Sequence, residues 1–210
     1  MRPLLVILFG FLLLPVPRLA RASGEQGWTP LFNGRDLSGL VKNGAEKWVV
    51  DDGAILGEST AGKYGYLTTE KTYSDFVLRL RFKCDTDGNS GVFLRSRITG
   101  ESPATGPDIE GMQVEIDPTR HTGGLYESGG RGWVQLPTAD GERAIKSRDW
   151  NELEIAAEGR HYVTRLNSVQ IVDWDDPAPR FTSGVIGLQL HTGGGVKIRF
   201  KDIYIMELSK

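Results

Sequence analysis

The chain has 210 residues, of which 39% are hydrophobic and 25% charged, with 27 Gly, 10 Pro and one Cys. These values are typical of a globular protein and exclude a disordered, collagen-like or disulfide-scaffold chain. The formal charge of −2 and the lack of a Lys/Arg run argue against nucleic acid as a partner.

The first 22 residues have the pattern of a secretory signal peptide. Arg2 precedes an apolar run at 4–14, and Ala20-Arg21-Ala22 has the small-x-small pattern that signal peptidase recognises. The run is shorter than the stretch of about 20 apolar residues that crosses a bilayer. We therefore predict a signal peptide at 1–22, one domain over 23–210, a secreted or periplasmic protein, and no stable membrane insertion after cleavage.

Apolar and polar residues alternate along most of the remaining chain, which is typical of antiparallel strands with one buried face. The clearest runs, separated by Gly-rich turns, are 76–83, 91–97, 111–117, 161–174, 184–191 and 196–208. The run at 161–174 is predicted to be two strands joined at Asn167-Ser168, and Cys84 is predicted to be a buried structural thiol. This spacing of strands and turns predicts an all-β, antiparallel jelly-roll β-sandwich.

Three polar residues alternate along the predicted strand at 111–117. Gln113, Glu115 and Asp117 would project from one face about 7 Å apart in succession. Neighbouring carboxylates raise each other's pKa, so one can act as an acid while the other acts as a base. The alternative is an ordinary solvated face of an antiparallel sheet.

Outward positions of two other predicted strands carry further candidates. Arg95 could stabilise developing negative charge, and His191, which shares a face with Gln189, could act as an acid or a base. We expect Arg95, Gln189 and His191 to lie on one surface with Gln113 and Glu115. The alternative for Arg95 is a surface ion pair, and the spacing of the three His residues gives little support to a zinc site.

A Gly-rich segment at 122–137 combines aromatic and charged residues. Tyr126 and Trp133 could stack on sugar rings, and Arg131 could hydrogen-bond to a ligand. Glu110 lies nearby in sequence and is a further candidate for substrate binding. The alternative for Trp133 is a place in the core.

Several segments, taken in order, resemble the DUF1080 family, which is also called the 3-keto-disaccharide hydrolase domain family. They are LFNGRDLSGL (31–40), GYLTTEKTYSDFVLRLRFK (65–83), GNSGVFLRS (88–96), GMQVEID (111–117), GGLYESGGRGW (123–133), DWNELEIAAEGR (149–160) and VIGLQLH (185–191). Gln113-Val114-Glu115 follows the order of one large branch of the family. Ser128 and Gly130 depart from the pattern of that branch, which usually has an acid and an Arg at these positions. The resemblance implies a concanavalin A-like lectin/glucanase fold, export from the cell, and an oligosaccharide or glycoside as substrate.

The resemblance further implies cleavage of 3-keto-glycosides, either by hydrolysis or by C2-proton elimination followed by hydration. Such a site needs a base near C2, for which Glu115 and His191 are candidates. It also needs a cation near the C3 oxygen, for which Arg95 is the candidate, and an acid near the glycosidic oxygen, for which Asp117 and Glu110 are candidates. A divalent cation is left open. Two other classes also stay open: a non-catalytic carbohydrate-binding or adhesion module, and a retaining glucanase.

Overall fold

The computed structural model describes residues 27–208. The predicted signal peptide lies outside the described residues. Within that range, no helix has the length and apolar character needed to cross a membrane.

Strands make up nearly all of the regular secondary structure in the described chain. In chain order they are β1 (Thr29–Pro30), β2 (Leu40–Asn43), β3 (Lys47–Asp51), β4 (Ala54–Glu58), β5 (Gly65–Thr69), β6 (Phe76–Cys84), β7 (Ser90–Ser102), β8 (Gly106–Ile116), β9 (Leu125–Ser128), β10 (Gly132–Gln135), β11 (Asn151–Glu158), β12 (His161–Leu166), β13 (Val169–Asp175), β14 (Val185–Leu190) and β15 (Lys197–Glu207). A four-residue helix, α1 (Ala139–Glu142), follows β10.

The strands form two antiparallel sheets. Sheet 1 has the order β13-β12-β11-β6-β15-β4-β3, with the short β1 also paired to β15. Sheet 2 has the order β10-β9-β8-β7-β14-β5-β2. The prediction of an all-β antiparallel sandwich is confirmed.

The core lies between the two sheets because each strand turns its apolar positions inward. In β6, Phe76, Leu78, Leu80 and Phe82 are fully buried, whereas the intervening Arg and Lys side chains reach solvent. Sheet 2 contributes apolar residues in the same way, among them Val114 of β8. The outer face of sheet 2, which faces away from sheet 1, is thereby left for polar side chains.

Two local sequence predictions are confirmed. Cys84 is buried, and this burial raises the pKa of its thiol to about 12, so it is not an activated nucleophile. Strands β12 and β13 are joined by Asn167 and Ser168, which have φ values of 50° and 71°. Positive φ at both positions is typical of the type I′ hairpin turn.

Strand β7 departs from simple alternation at Arg95. It carries one more residue than either neighbour here: Leu94 and Arg97 pair with Met112 and Glu110 of β8, and a matching shift occurs against β14. This β-bulge, with φ of 49° at Arg95, directs the guanidinium toward sheet 1. The prediction that Arg95 lies on the outer face is therefore wrong.

The Arg95 side chain is only 1% exposed and is held entirely by the protein. It donates hydrogen bonds to Asp75 at 2.9 Å, to the carbonyl oxygens of Ser74 and Gly159 at 2.6 Å, and to the Tyr162 hydroxyl at 3.3 Å. Its donors are thus used to connect the two sheets, which is a structural role.

Candidate functional site

The outer face of sheet 2 contains a cavity of about 360 Å³. This volume lies within the range of small-molecule sites, roughly 300–1,000 Å³. Its walls combine aromatic, amide and carboxyl side chains, namely Tyr64, Tyr66, Tyr126 and Trp133; Asn89, Gln113 and Gln189; Asp108 and Glu115; and Ile109, Ser128 and His191. The structure therefore brings together Gln113, Glu115, Gln189 and His191, as the alternation of the strands predicts.

Glu115 is a buried carboxylate in this cavity, only 4% exposed. One oxygen accepts a hydrogen bond from Nδ2 of Asn89, and the other accepts one from Nε2 of Gln113 at 2.6 Å. Burial disfavours the charged form and raises the pKa of Glu115 to about 7, although the hydrogen bond from Asn89 acts in the opposite direction. Glu115 can therefore bind or release a proton near neutral pH.

The amide side chains form a connected layer around Glu115. Nε2 of Gln113 is also 3.4 Å from Oε1 of Gln189, and the Gln189 side chain lies near the Tyr66 hydroxyl, whose pKa it lowers against the larger opposite effect of burial. Gly91 makes this layer possible, because a Cβ there would lie 2.5 Å from Nε2 of Gln113. The buried Oδ1 of Asn89 has no hydrogen-bond partner among the described residues.

His191 and Tyr64 form a hydrogen-bonded pair in the same cavity. Nδ1 of His191 is 3.0 Å from the carbonyl oxygen of Thr192, an acceptor, which assigns the proton of a neutral ring to Nδ1. Nε2 then accepts a hydrogen bond from the Tyr64 hydroxyl at 3.3 Å. This pair can pass a proton to or from an oxygen of a ligand.

A buried carboxylate holds the loop that carries Tyr64. Glu46 is 4% exposed and accepts backbone N–H groups from Thr60, Ala61 and Lys63, the last at 2.6 Å. Burial alone would raise the pKa of Glu46, but these hydrogen bonds outweigh it and hold the pKa below its ordinary value. Glu46 thus fixes the backbone immediately before Tyr64.

Aromatic rings form one side of the cavity mouth. Trp133 is 41% exposed and meets Tyr126 edge-to-face at 5.3 Å and His121 at 5.0 Å between ring centroids. The alternative interpretation of Trp133 as a core residue is therefore wrong. An exposed indole beside a polar cavity is suited to stacking on a sugar ring or an aromatic aglycone.

Four predicted site residues do not line this cavity. Arg95 lies outside the cavity because the β-bulge in β7 turns its side chain toward sheet 1. Asp117 follows the end of β8, where the chain turns, and its Oδ1 accepts hydrogen bonds from the N–H and hydroxyl of Thr119 at 2.8 and 2.6 Å. Glu110 forms an ion pair with Arg180 at 2.7 Å. Asp117 and Glu110 therefore lie outside the cavity, although the charge of Asp117 contributes, after burial, to the raised pKa of Glu115, as the spacing of the two carboxylates predicts.

Arg131 is the fourth, and it too is engaged within the protein. It forms ion pairs with Glu127 of β9 and with Asp176, which follows β13, the latter at 2.7 Å. A Cβ at Gly130 would overlap the Glu127 carboxylate, so a larger residue there would require Glu127 to move. Ser128, the other departure from the family pattern, lines the cavity and donates a hydrogen bond to the carbonyl oxygen of Ile109 at 2.9 Å.

Six residues that line the cavity were not among the predicted site residues: Tyr64, Tyr66, Asn89, Asp108, Ile109 and Ser128. Tyr66 could have been predicted from the sequence, because the alternation of β5 places it on the outer face of sheet 2. Asn89 and Tyr64 lie in loops whose approach to Glu115 and His191 depends on long-range strand pairing. Within 27–208, no group of three His, Cys, Asp or Glu side chains is arranged to hold a metal ion. The use of a divalent cation stays untested.

The two sheets and the outer-face cavity define a β-sandwich of the lectin type. Residues 27–206 match the sequence profile of the 3-keto-alpha-glucoside-1,2-lyase-like domain, so the chain belongs to this family. A curated protein of Bacteroides thetaiotaomicron, described as a 3-keto-disaccharide hydrolase, is 27% identical over 93 residues. That alignment spans 40% of this chain and 32% of that protein, so the match covers about a third of the relative's length.

Solved structures with this fold come from proteins of several kinds. A protein of Parabacteroides distasonis, provisionally described as a glycosyl hydrolase, has a TM-score of 0.66 at 20% identity, covering 87% of this chain and 94% of its own. A Bacillus subtilis protein of unknown function with a galectin-like fold has a TM-score of 0.67 at 15% identity, covering 86% and 94%. The carbohydrate-binding module CBM66 of Bacillus subtilis has a TM-score of 0.55 at 15% identity, covering 86% and 96%. These likenesses show the fold, and the family supports a carbohydrate-related function.

Proposed function

We propose that this protein cleaves glycosides whose sugar carries a ketone at C3, and that Glu115 is the base that removes the C2 proton. The observation that carries the proposal is a buried carboxylate with a pKa near 7, placed in a cavity of suitable size and connected to amide side chains. A base with a pKa close to the working pH is the most effective for proton abstraction. Family membership supports the choice of a 3-keto substrate.

The reaction proceeds in two stages. Glu115 takes the proton from C2, which the neighbouring ketone makes acidic, and the C–H electron pair forms an enolate between C2 and C3. Collapse of the enolate forms the C1–C2 double bond and breaks the bond from C1 to the glycosidic oxygen, which leaves with a proton. Water then adds across the double bond, its oxygen to C1 and a proton to C2, so one water is consumed overall and the product is the free 3-keto sugar.

Neutral donors would stabilise the enolate. Among the described residues, the cavity lining includes no Lys or Arg, and Arg95 lies in the interior of the sandwich. Burial raises the pKa of Tyr66, so its hydroxyl keeps the proton and can donate it to the C3 oxygen. The Tyr64 hydroxyl, which donates to Nε2 of His191 in the free protein, can turn to the departing oxygen and supply the proton that it needs, and it regains a proton from the water that adds to C1.

The test compares a 3-keto-glycoside with its unoxidised parent. We expect cleavage of the 3-keto compound alone, since only the ketone acidifies C2. Glu115→Gln should lose activity by about 10²–10⁴-fold, the usual contribution of a positioned base, and deuterium at C2 should slow the wild-type enzyme if proton removal limits the rate. Glu101→Gln, a change on the exposed part of β7, is the matched control. Full activity of Glu115→Gln would show that Glu115 is not the base, and His191→Ala is then the next variant to test.

A non-catalytic carbohydrate-binding module is the second candidate. The exposed Trp133, backed by Tyr126 and His121, favours it, because aromatic platforms bind sugars without chemistry. Saturable binding of a glycoside with no turnover of its 3-keto form would support this candidate over the enzyme. Loss of binding in Trp133→Ala would then show that the aromatic surface around Trp133 binds the sugar.

A further inference from the structure

The formally charged residues in the described lining of the cavity are all acidic. Among its described lining residues, Asp108 and Glu115 are acidic and none is Lys or Arg. Cavities that bind acidic ligands usually contain Arg or Lys, because carboxylates and sulfates need charge-assisted hydrogen bonds when they leave water. The lining therefore offers no Lys or Arg to pair with a permanent negative charge on a ligand.

Asp108 differs from the other acidic residues of this region. Glu110 pairs with Arg180, and Glu127 pairs with Arg131. Asp108 forms no ion pair with any described residue, and its side chain is exposed at the cavity. It is also close enough to act on the cavity tyrosines: after burial and neighbouring tyrosines, its charge contributes to the raised pKa of both Tyr64 and Tyr66.

We infer that the cavity selects uncharged glycosides and that Asp108 is the residue that excludes glycosides carrying an anionic group. The inference rests on the proposed function only in taking this cavity as a glycoside site. An unpaired carboxylate beside a site with low-dielectric walls repels a second negative charge more strongly than it would in bulk water. It does not repel a neutral ligand, and it attracts a cationic one.

The binding test uses phenyl glucoside, its 4-carboxyphenyl analogue and its 4-aminomethylphenyl analogue, each unoxidised and as both anomers. Calorimetry at low salt should show the anionic ligand binding roughly tenfold more weakly than the neutral one, which corresponds to about 1.4 kcal/mol. The cationic ligand should bind at least as well as the neutral one. About 0.5 M salt should reduce the difference, because the interaction is partly exposed to solvent.

Asp108→Asn should bring the neutral-to-anionic affinity ratio to within about twofold of one, since it keeps the side-chain shape and removes the charge. The matched control is Asp52→Asn, which removes the same charge from the β3–β4 turn of sheet 1, away from the cavity, at a residue whose φ of 49° Asn readily adopts. This control should keep the wild-type ratio. The thermal unfolding of each variant verifies that it is folded.

The outcome separates this inference from the proposed function, because binding of unoxidised glycosides requires no chemistry. Equal affinity of wild type for the neutral and anionic ligands overturns the inference, even if 3-keto-glycosides are cleaved. An unchanged ratio in Asp108→Asn overturns the assignment to Asp108. A ratio that collapses in Asp108→Asn alone supports the inference, even if no 3-keto-glycoside is cleaved. Absence of binding by all three ligands, with no cleavage of their 3-keto forms, overturns both proposals.

Discussion

The burial of Glu115 lowers the stability of the folded protein when its carboxyl is ionised. Its carboxyl is 4% exposed and its pKa is near 7, so both the protonated and the ionised forms are populated near neutral pH. Asn89 and Gln113 stabilise the ionised form, but burial outweighs them. Buried ionisable groups with strongly shifted pKa values are typical of functional sites. Glu115 is thus the residue at which stability and proposed activity oppose each other.

This opposition predicts a pH-dependent effect of Glu115→Gln on stability. The pKa of Glu115 is about 7 when folded and near its ordinary 4.5 when unfolded, so the folded state binds the proton more tightly. The stabilisation from that proton is complete below about pH 4.5 and is lost as pH rises through about 7, a change of about 3 kcal/mol. Glu115→Gln has no carboxyl at this position, so its free energy of unfolding does not fall in this way as pH rises. Its free energy of unfolding relative to wild type should therefore rise by about 3 kcal/mol between pH 4.5 and 8.

Urea denaturation at several pH values measures this difference. Glu101→Gln should show no comparable trend, because its side chain is exposed. A difference between Glu115→Gln and wild type that stays constant with pH would show that Glu115 has the same pKa in the folded and unfolded states.

At the residue scale, the sequence predicted those site residues whose strands alternate regularly. Gln113 and Glu115 on β8, and Gln189 on β14, lie on the outer face because a period of two holds along both strands. Arg95 was predicted there by the same reasoning, but one extra residue in β7 turned it inward. A bulge depends on the pairing with two neighbouring strands, and a single sequence does not reveal that pairing.

At the element scale, the loop before β5 connects a buried acid to the proposed proton donor. Glu46 accepts three backbone N–H groups from residues 60–63, and Gly62 accepts hydrogen bonds from Thr192 at 2.9 Å and Gly193 at 2.8 Å. The loop therefore joins the residue before Tyr64 to the residues after His191. Glu46 is a positioning residue that would act through Tyr64.

Glu46→Gln should lower kcat on a 3-keto-glycoside by roughly tenfold with little change in KM. An amide cannot accept three N–H groups as well as a carboxylate does, so Tyr64 would lose its fixed position without losing its hydroxyl. A double-mutant cycle checks the route: adding Glu46→Gln to Tyr64→Phe should cost no further activity. Additive losses in the cycle would show that Glu46 acts on catalysis independently of Tyr64.

Element boundaries show the same limit of sequence reasoning. The hairpin of β12 and β13 was predictable, since Asn167-Ser168 suits the turn between two alternating runs. The loop at 59–64 was not, because Glu46 reaches it from a distant part of the sequence. Local turn chemistry can be read from adjacent residues, whereas a loop held by a distant side chain cannot.

At the scale of the whole molecule, Arg131 joins the two sheets. It bridges Glu127 of β9 and the fully buried Asp176 after β13. Burial would raise the pKa of Asp176, but hydrogen bonds from Arg131 and from the Ala178 N–H outweigh it, and the pKa lies below its ordinary value. The stability from Asp176 is therefore present above its unfolded pKa and lost as pH falls through its folded pKa, opposite in sign to Glu115.

Asp176→Ala should lower the free energy of unfolding by about 2 kcal/mol at pH 7, the usual cost of losing hydrogen bonds to a charged group. Arg131 would keep Glu127 as a partner, which limits the loss. Asp173→Ala, an exposed change in β13, should alter stability by less than about 0.5 kcal/mol. Chemical denaturation measures both variants, and equal stabilities would show that the bridge between the sheets contributes nothing.

The place of β15 in sheet 1 has a consequence for how this protein is made. β15 is the last strand in the described chain, yet it lies in the middle of its sheet, hydrogen-bonded to β6 on one side and β4 on the other. Until residues 197–207 are available to pair, β4 and β6 both expose unpaired edges and sheet 1 stays in two pieces. The nascent chain can therefore complete its fold only after nearly all of these residues have been synthesised, and an interrupted translation product would be open to edge-to-edge aggregation.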